Sequence, residues 1–233
     1  MSSDLDSRWS NPIYYSIDSV AVQRKSVENG LKLWQEQTCL TFKETTDKDE
    51  RKNKIRFIRG KGCFSGVGQS NAGSQTISIG PGCGRPAIVA HEIGHALGYW
   101  HEQARPDRNN HISVVSQNIN QRVIGNFAKK DFPHVSLMGI PYDLGSVMHY
   151  GPSAWAKRYD LITVKTLEPL YQQTIGQRTQ LSFYDVKHMN LAYCSNVCQM
   201  GPDCVNSGYP NPKNCSTCVC PEGLGGTMCD RAA

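Results

Sequence analysis

His91-Glu92-Ile93-Gly94-His95-Ala96-Leu97-Gly98-Tyr99-Trp100-His101-Glu102 gathers three imidazoles and a carboxylate into one short run. His91 and His95 are four apart, so on an α-helix they lie one turn above the other on one face, near enough to share a cation. His101 stands six residues beyond His95, and at about 100° per residue a continued helix would carry it away from that face. The helix must therefore stop. Gly98 supplies the stop, because glycine enters the left-handed conformation that ends helices at little steric cost and lets the chain swing His101 back. Three neutral imidazoles leave one coordination position open, the stoichiometry of a catalytic zinc whose bound water has a pKa of about 7. Glu92, beside His91, is placed to take that proton. Histidines that merely pack or face water are the plainer reading of a bare His-Glu-x-x-His, but Gly98 and His101 at fixed spacing make a chance match a poor account of this run.

The extended motif resembles that of the metzincins, and Glu102 directly after the third histidine makes it similar to the astacin family. Arg105-Pro106-Asp107-Arg108 follows as it does in astacins, and Ser146-Val147-Met148-His149-Tyr150 resembles their Met-turn with its tyrosine. The resemblance covers about residues 9 to 194. It implies an α+β, two-lobed catalytic domain with a mixed sheet and an active-site helix, holding one zinc through His91, His95 and His101. It further implies that Tyr150 is a labile zinc ligand that moves to bind the oxyanion, and that Met148 is a packed hydrophobic base beneath the metal. Glu102 would meet the amino terminus of the mature chain once a propeptide is removed. Cys39 would pair with Cys194 and Cys63 with Cys83, and Phe64-Ser65-Gly66-Val67 would line the upper rim of the cleft as an edge strand. Such a strand offers free backbone groups to an extended polypeptide substrate, whatever its sequence.

Length suits one large domain, residues 1–194, followed by a small one, residues 195–233. Six of the ten cysteines fall in the last 36 residues, a density that indicates disulfides and an oxidising, extracellular setting for a secreted protein. A structural zinc on these cysteines is the alternative, and their spacing lacks two well-separated Cys-x-x-Cys pairs. No stretch approaches the ~20 apolar residues needed to cross a bilayer, and no apolar export segment stands at the start. Met1-Ser2-Ser3 therefore reads as the beginning of an excised mature form. The formal net charge of +5 is spread along the chain with no basic run interleaved with aromatics, which argues for neither nucleic acid nor a membrane as partner.

Along the large domain the pattern predicts strands at Ile13-Tyr14-Tyr15, Cys39 to Phe42, Ile55 to Ile58 and Thr76 to Ile79, with a polar loop over 45–54. It predicts helices over Val27 to Gln37, Pro86 to Leu97, Val114 to Val123 and Ser182 to Leu191. From Cys198 the composition turns to cysteine, glycine, proline and asparagine. Cys218-Val219-Cys220 with Cys229, and Asn206-Ser207-Gly208-Tyr209, resemble an EGF-like module. The gap from Cys204 to Cys215 is long and that from Cys215 to Cys218 short, the reverse of the usual EGF spacing. Six cysteines allow 15 pairings, of which only Cys220 with Cys229 is expected on this resemblance. Asn214-Cys215-Ser216 is formally a glycosylation sequon whose middle residue is expected to be bridged.

Together these features point to metal-assisted peptide hydrolysis, with Glu92 taking the water's proton and returning it to the leaving amine. The rival is a non-catalytic adhesion module on the same scaffold. Glu92 discriminates, since a binding protein has no need of the base. Among substrates, a broad digestive or hatching protease competes with a matrix-processing one. Ile175-Gly176-Gln177-Arg178 resembles a stretch of tolloid-type procollagen C-proteinases, in which the arginine reaches the pocket for the residue after the cut bond and selects acidic side chains. The match is incomplete: vertebrate tolloids carry two adjacent cysteines where this chain has Cys63-Phe64, and the tail looks more like nematode astacins that process cuticle collagen. Procollagen or another matrix precursor is the substrate that this resemblance implies.

Overall fold

The computed structural model describes residues 1–18, 23–46, 48–49, 53–70 and 73–233. Residues 47 and 50–52 of the expected 45–54 loop lie outside the described residues. Five strands form one mixed sheet: β1 (Ile13–Ile17), β2 (Phe42–Glu44), β3 (Lys54–Ile58), β4 (Cys63–Ser65) and β5 (Gln75–Ile79), in the order β2-β1-β3-β5-β4. Pairings are parallel except β4 against β5, where Phe64 stands opposite Ser78. Being last in the order, β4 leaves one edge unpaired.

Two helices cover the sheet. In α1 (Arg24–Gln37) Val27, Leu31 and Trp34 share the buried face, as their 3.6-residue spacing requires. The second helix, α2 (Pro86–Ala96), carries proline in its first turn, where the missing N–H costs nothing. The two approach closely at Gly30, where a Cβ would lie 2.6 Å from Cγ1 of Val89, and the Trp34 indole donates to the Ala90 carbonyl at 2.9 Å. A third helix, α3 (Phe183–Tyr193), starts with a reciprocal capping box between Ser182 and Asp185. Cys39–Cys194 ties the end of α1 to the end of α3, and Cys63–Cys83 closes the loop that presents β4.

Two expectations need correction. The stretch Val114 to Val123 is not a helix: Ile112–Val114 is strand β6, paired antiparallel with β7 (Val164–Thr166), followed by 3-10 turns at Ser116–Asn118 and Gln121–Phe127. Ile119 is wholly buried and bridges Ala156, so tertiary pairing holds this segment extended against its apolar spacing. The strand expected at Cys39 to Phe42 begins only at Phe42. Before it, Thr38 Oγ1 returns to the Trp34 carbonyl at 2.7 Å, and the Thr41 N–H goes to Asn11 Oδ1 at 2.9 Å. Side chains thus take the place of the ladder there.

The tail forms two small hairpins, β8 (Tyr209–Asn211) with β9 (Asn214–Val219), and β10 (Leu224–Gly225) with β11 (Arg231–Ala232). Its six cysteines pair among themselves as Cys198–Cys215, Cys204–Cys218 and Cys220–Cys229. The tail also docks on α3. Tyr209 is buried against Phe183, and its hydroxyl accepts from Asn190 Nδ2 at 3.2 Å.

Candidate metal and catalytic site

The end of α2 creates the ligand geometry. Gly98 has φ +107°, its N–H returns to the His95 carbonyl (2.8 Å), and the Tyr99 N–H returns to the Gly94 carbonyl (2.9 Å). This is the doubly bonded left-handed cap that glycine favours, and it reverses the chain so that His101 comes back over the helix face. The histidine ring centroids lie 4.4 to 5.3 Å apart, and one nitrogen from each falls within 4.8 Å of the others.

The outer nitrogens set the tautomers. His91 Nδ1 donates to the Val147 carbonyl at 2.8 Å and His95 Nδ1 to the Tyr99 carbonyl at 2.7 Å, which leaves their Nε2 atoms as bare acceptors. His95 Nε2 and His101 Nε2 stand 3.1 Å apart. With His95 Nε2 a bare acceptor, either a proton on His101 Nε2 or a cation must lie between two nitrogens at that distance. A tetrahedral zinc with bonds of about 2.0–2.1 Å would space such nitrogens by about 3.3 Å, so the donor set fits the metal. Burial holds the His95 pKa down to about 4, and those of His91 and His101 well below their ordinary value, which keeps all three neutral and ready to ligate.

Glu92 faces the same floor. Burial pushes its pKa up to about 7, against the opposing pull of the Arg178 guanidinium, which suits a group that must both accept and return a proton near neutrality. Tyr150 packs its ring 4.4 Å from that of His101, and burial raises its phenol pKa while the neighbouring Trp155 side chain opposes the rise. Met148 is fully buried beneath this floor. Gly94 lets it approach, since a Cβ there would lie 3.0 Å from the Met148 sulfur.

The sequence did not single out the residues that hold the Met-turn. Asp185 Oδ1 accepts from the Ser146 hydroxyl at 2.6 Å, and its Oδ2 accepts the N–H of Val147 at 2.8 Å and of Ser182 at 3.0 Å. Gln103 Oε1 accepts the Tyr150 N–H at 3.2 Å. The spacing Ser182-x-x-Asp185 was the one local signal, as a helix start.

Glu102 accepts from the Asp143 N–H (2.8 Å) and from Arg105 (3.1 Å), and burial pushes its pKa to about 8. The Met1 amino group is buried nearby and donates to the Ser136 carbonyl at 3.3 Å. Burial lowers its pKa to about 5, with the Glu102 charge pulling the other way. A cavity of about 10 Å³, the room of one water, is lined by both residues.

A cleft of about 660 Å³ opens over His91, Glu92, His95, His101 and Tyr150, with Phe64 and Ser65 of β4 on one wall. Gly66 and Val67 lie past the end of β4 and do not line it. Arg178 lies close to this floor, its charge reaching Glu92, Tyr150 and the three histidines. Its Nη1 donates to the His149 carbonyl (3.1 Å) and the Gln177 carbonyl (2.7 Å). Gly176, at φ +81°, makes that seat possible: a Cβ there would stand 2.2 Å from the Gly151 Cα.

The match to known proteins follows the same residues. A family model described as Astacin, a family of peptidases, matches residues 1–194. Zinc metalloproteinase nas-30 of Caenorhabditis elegans is 47% identical over 227 residues, 97% of this chain and 30% of that protein. Zinc metalloproteinase dpy-31 of the same organism is 43% identical over 229 residues, 96% of this chain and 38% of that protein. The chain thus spans well under half the length of these relatives. Among solved structures, high choriolytic enzyme 1, a hatching enzyme zinc-protease from Oryzias latipes, superposes with a TM-score of 0.73 at 30% identity, covering 81% of this chain and 94% of that one. Since the matched span carries the three histidines, Glu92 and the Met-turn, and ends at the cysteine that closes α3, the chain belongs to the astacin family of peptidases.

Proposed function

We propose that the chain is the catalytic part of a secreted zinc-dependent endopeptidase that cleaves extracellular proteins as a processing protease, with a preference for acidic residues just after the cut bond. The observation that carries the reading is the convergence of three neutral imidazoles, those of His91 and His95 buried and that of His101 half-buried, with Glu92 on the floor of a cleft bordered by an unpaired strand edge. Zinc held by His91, His95 and His101 would acidify a water and polarise the scissile carbonyl. The chain's own residues do the rest. An extended substrate adds to the free edge of β4 by backbone hydrogen bonds, which positions the bond without reading its sequence. Glu92 takes the proton of the attacking water and passes it to the departing amine. The Tyr150 hydroxyl donates to the developing oxyanion, and the Trp155 indole helps to hold it there.

Arg178 supports the acidic preference. Among the described residues no carboxylate forms an ion pair with this half-buried guanidinium, so its spare N–H groups await a partner that a substrate aspartate or glutamate would supply. On this reading procollagen, or another matrix precursor, is a fitting substrate. The broad hatching or digestive alternative is favoured by the hatching enzyme among the structural neighbours. The tail, residues 195–233, we read as an EGF-like module, supported by its interleaved cystines and two hairpins. A propeptide is read as the partner that precedes maturation. The test is cleavage of a peptide library by the zinc-loaded chain, with chelator and Glu92→Ala as controls. Loss of cleavage in both controls, with aspartate enriched after the cut, is expected, and cleavage that survives the chelator refutes the zinc reading.

A further inference from the structure

Within the cleft the charges are unbalanced. Among the described residues that line it, Glu92 is the one carboxylate, set against Lys61 and Lys130. Lys130 is the more constrained of the two lysines. Its backbone N–H is bonded to the Ala104 carbonyl at 2.7 Å, and its ammonium lies 4.0 Å from the centroid of the Trp100 ring, directly before the ligand His101. A cation on an indole face is held electrostatically, and the side-chain freedom that would be lost on pairing is partly spent already. Its sequence neighbour Asp131 contacts His134, and no ion pair engages Lys130 among the described residues. Arg178 is attached elsewhere, its Nη1 bonded to the His149 and Gln177 carbonyls.

We propose that Lys130, seated on Trp100, forms a second acid-selecting subsite, which reads an aspartate or glutamate at a substrate position other than the one just after the cut bond. The chemistry is a carboxylate meeting an ammonium already held against the indole face in the cleft wall. The inference rests on the peptidase reading but not on the role given to Arg178. A partly exposed pair of this kind contributes modestly, so the expected effect is about two- to fivefold in selectivity.

The test is a peptide library varied at each position on both sides of the cut, cleaved by the zinc-loaded wild type, Lys130→Ala, Lys130→Glu and Arg178→Ala. For each enzyme the readout is the ratio of kcat/KM for acidic over neutral residues at each position, which cancels any general loss. Lys130→Ala should lower that ratio at one position apart from the residue after the cut, and Lys130→Glu should turn the preference there toward lysine and arginine. Raised salt should weaken the wild-type ratio at the same position. Arg178→Ala should leave it intact. Ratios unchanged at every position in both Lys130 variants overturn the subsite while leaving the peptidase reading standing. A loss confined to the residue after the cut also overturns it, because Lys130 would then be serving that pocket. A zinc-loaded chain that cleaves no peptide overturns both readings.

Discussion

Replacing Arg178 by alanine should remove most of the preference for an acidic residue after the cut bond. In the structure this guanidinium gives one nitrogen to the His149 and Gln177 carbonyls, and its charge reaches Glu92 and the three histidines. Alanine therefore does two things. It removes two carbonyl partners next to Tyr150, a general loss that touches every substrate, and it removes the forked partner of a substrate carboxylate. A charge-assisted pair contributes about 1.5 to 3 kcal/mol, which at about 1.4 kcal/mol per decade is roughly 10- to 150-fold in kcat/KM. The general loss cancels if matched peptides with aspartate and alanine after the cut are compared within each enzyme. Arg178→Lys should recover only part of the ratio, because an ammonium cannot present two parallel donors. A ratio that stays within twofold of wild type in Arg178→Ala would refute the assignment, whatever happens to the absolute rate.

Glu92→Ala should bind about one zinc by metal analysis yet lose proteolysis by at least about a hundredfold, since the carboxylate moves a proton and the imidazoles hold the metal; near wild-type cleavage would refute its role. Gly98→Ala meets only ordinary contacts, Met1 Cγ at 3.5 Å being the nearest, so its cost is the left-handed backbone, about 1–3 kcal/mol. That loss should appear in urea unfolding, and zinc should dissociate more readily because His101 is placed by this turn. Replacing Cys39 and Cys194 together by serine releases a link across a sequence separation of 155, which the chain-entropy relation values at about 5 kcal/mol. A fall in stability under about 1 kcal/mol would show that the unfolded chain is constrained by other means.

Legibility followed range. The three histidines and Glu92 lie within one run, where helix geometry and one glycine relate them, so local rules sufficed to bring the imidazoles together. The seat of the Met-turn did not yield to the same reasoning. Asp185 reaches Ser146 and Val147 across nearly forty residues of chain, and the sequence marked only a helix over Ser182 to Leu191 there. The error at Val114 to Val123 has the same origin. Its apolar residues repeat as in a helix, yet Ile119 is buried by pairing with Ala156, and the Asn120 side chain accepts the Arg122 N–H at 3.1 Å, which favours a tight turn. The tail posed a different difficulty, since six cysteines in one short segment leave pairing to the fold of the whole module.

This division has a mechanical meaning. The three histidines are set by α2 and its cap, whereas Tyr150 and Arg178 belong to a second assembly laced from afar. Asp185 anchors the start of the Met-turn, Gln103 its end, and Gln177 Nε2 reaches back to the Gly145 carbonyl at 2.7 Å. The two assemblies meet where His91 donates to the Val147 carbonyl and Met148 packs beneath Gly94. Both contacts involve the buried face of α2, so the assembly that holds Tyr150 and Arg178 is keyed to His91. A shift of the Met-turn would therefore move the Tyr150 hydroxyl and the orientation of His91 together. On the roles proposed for Tyr150 and Arg178, loosening the Asp185 anchor should therefore disturb rate and selectivity together.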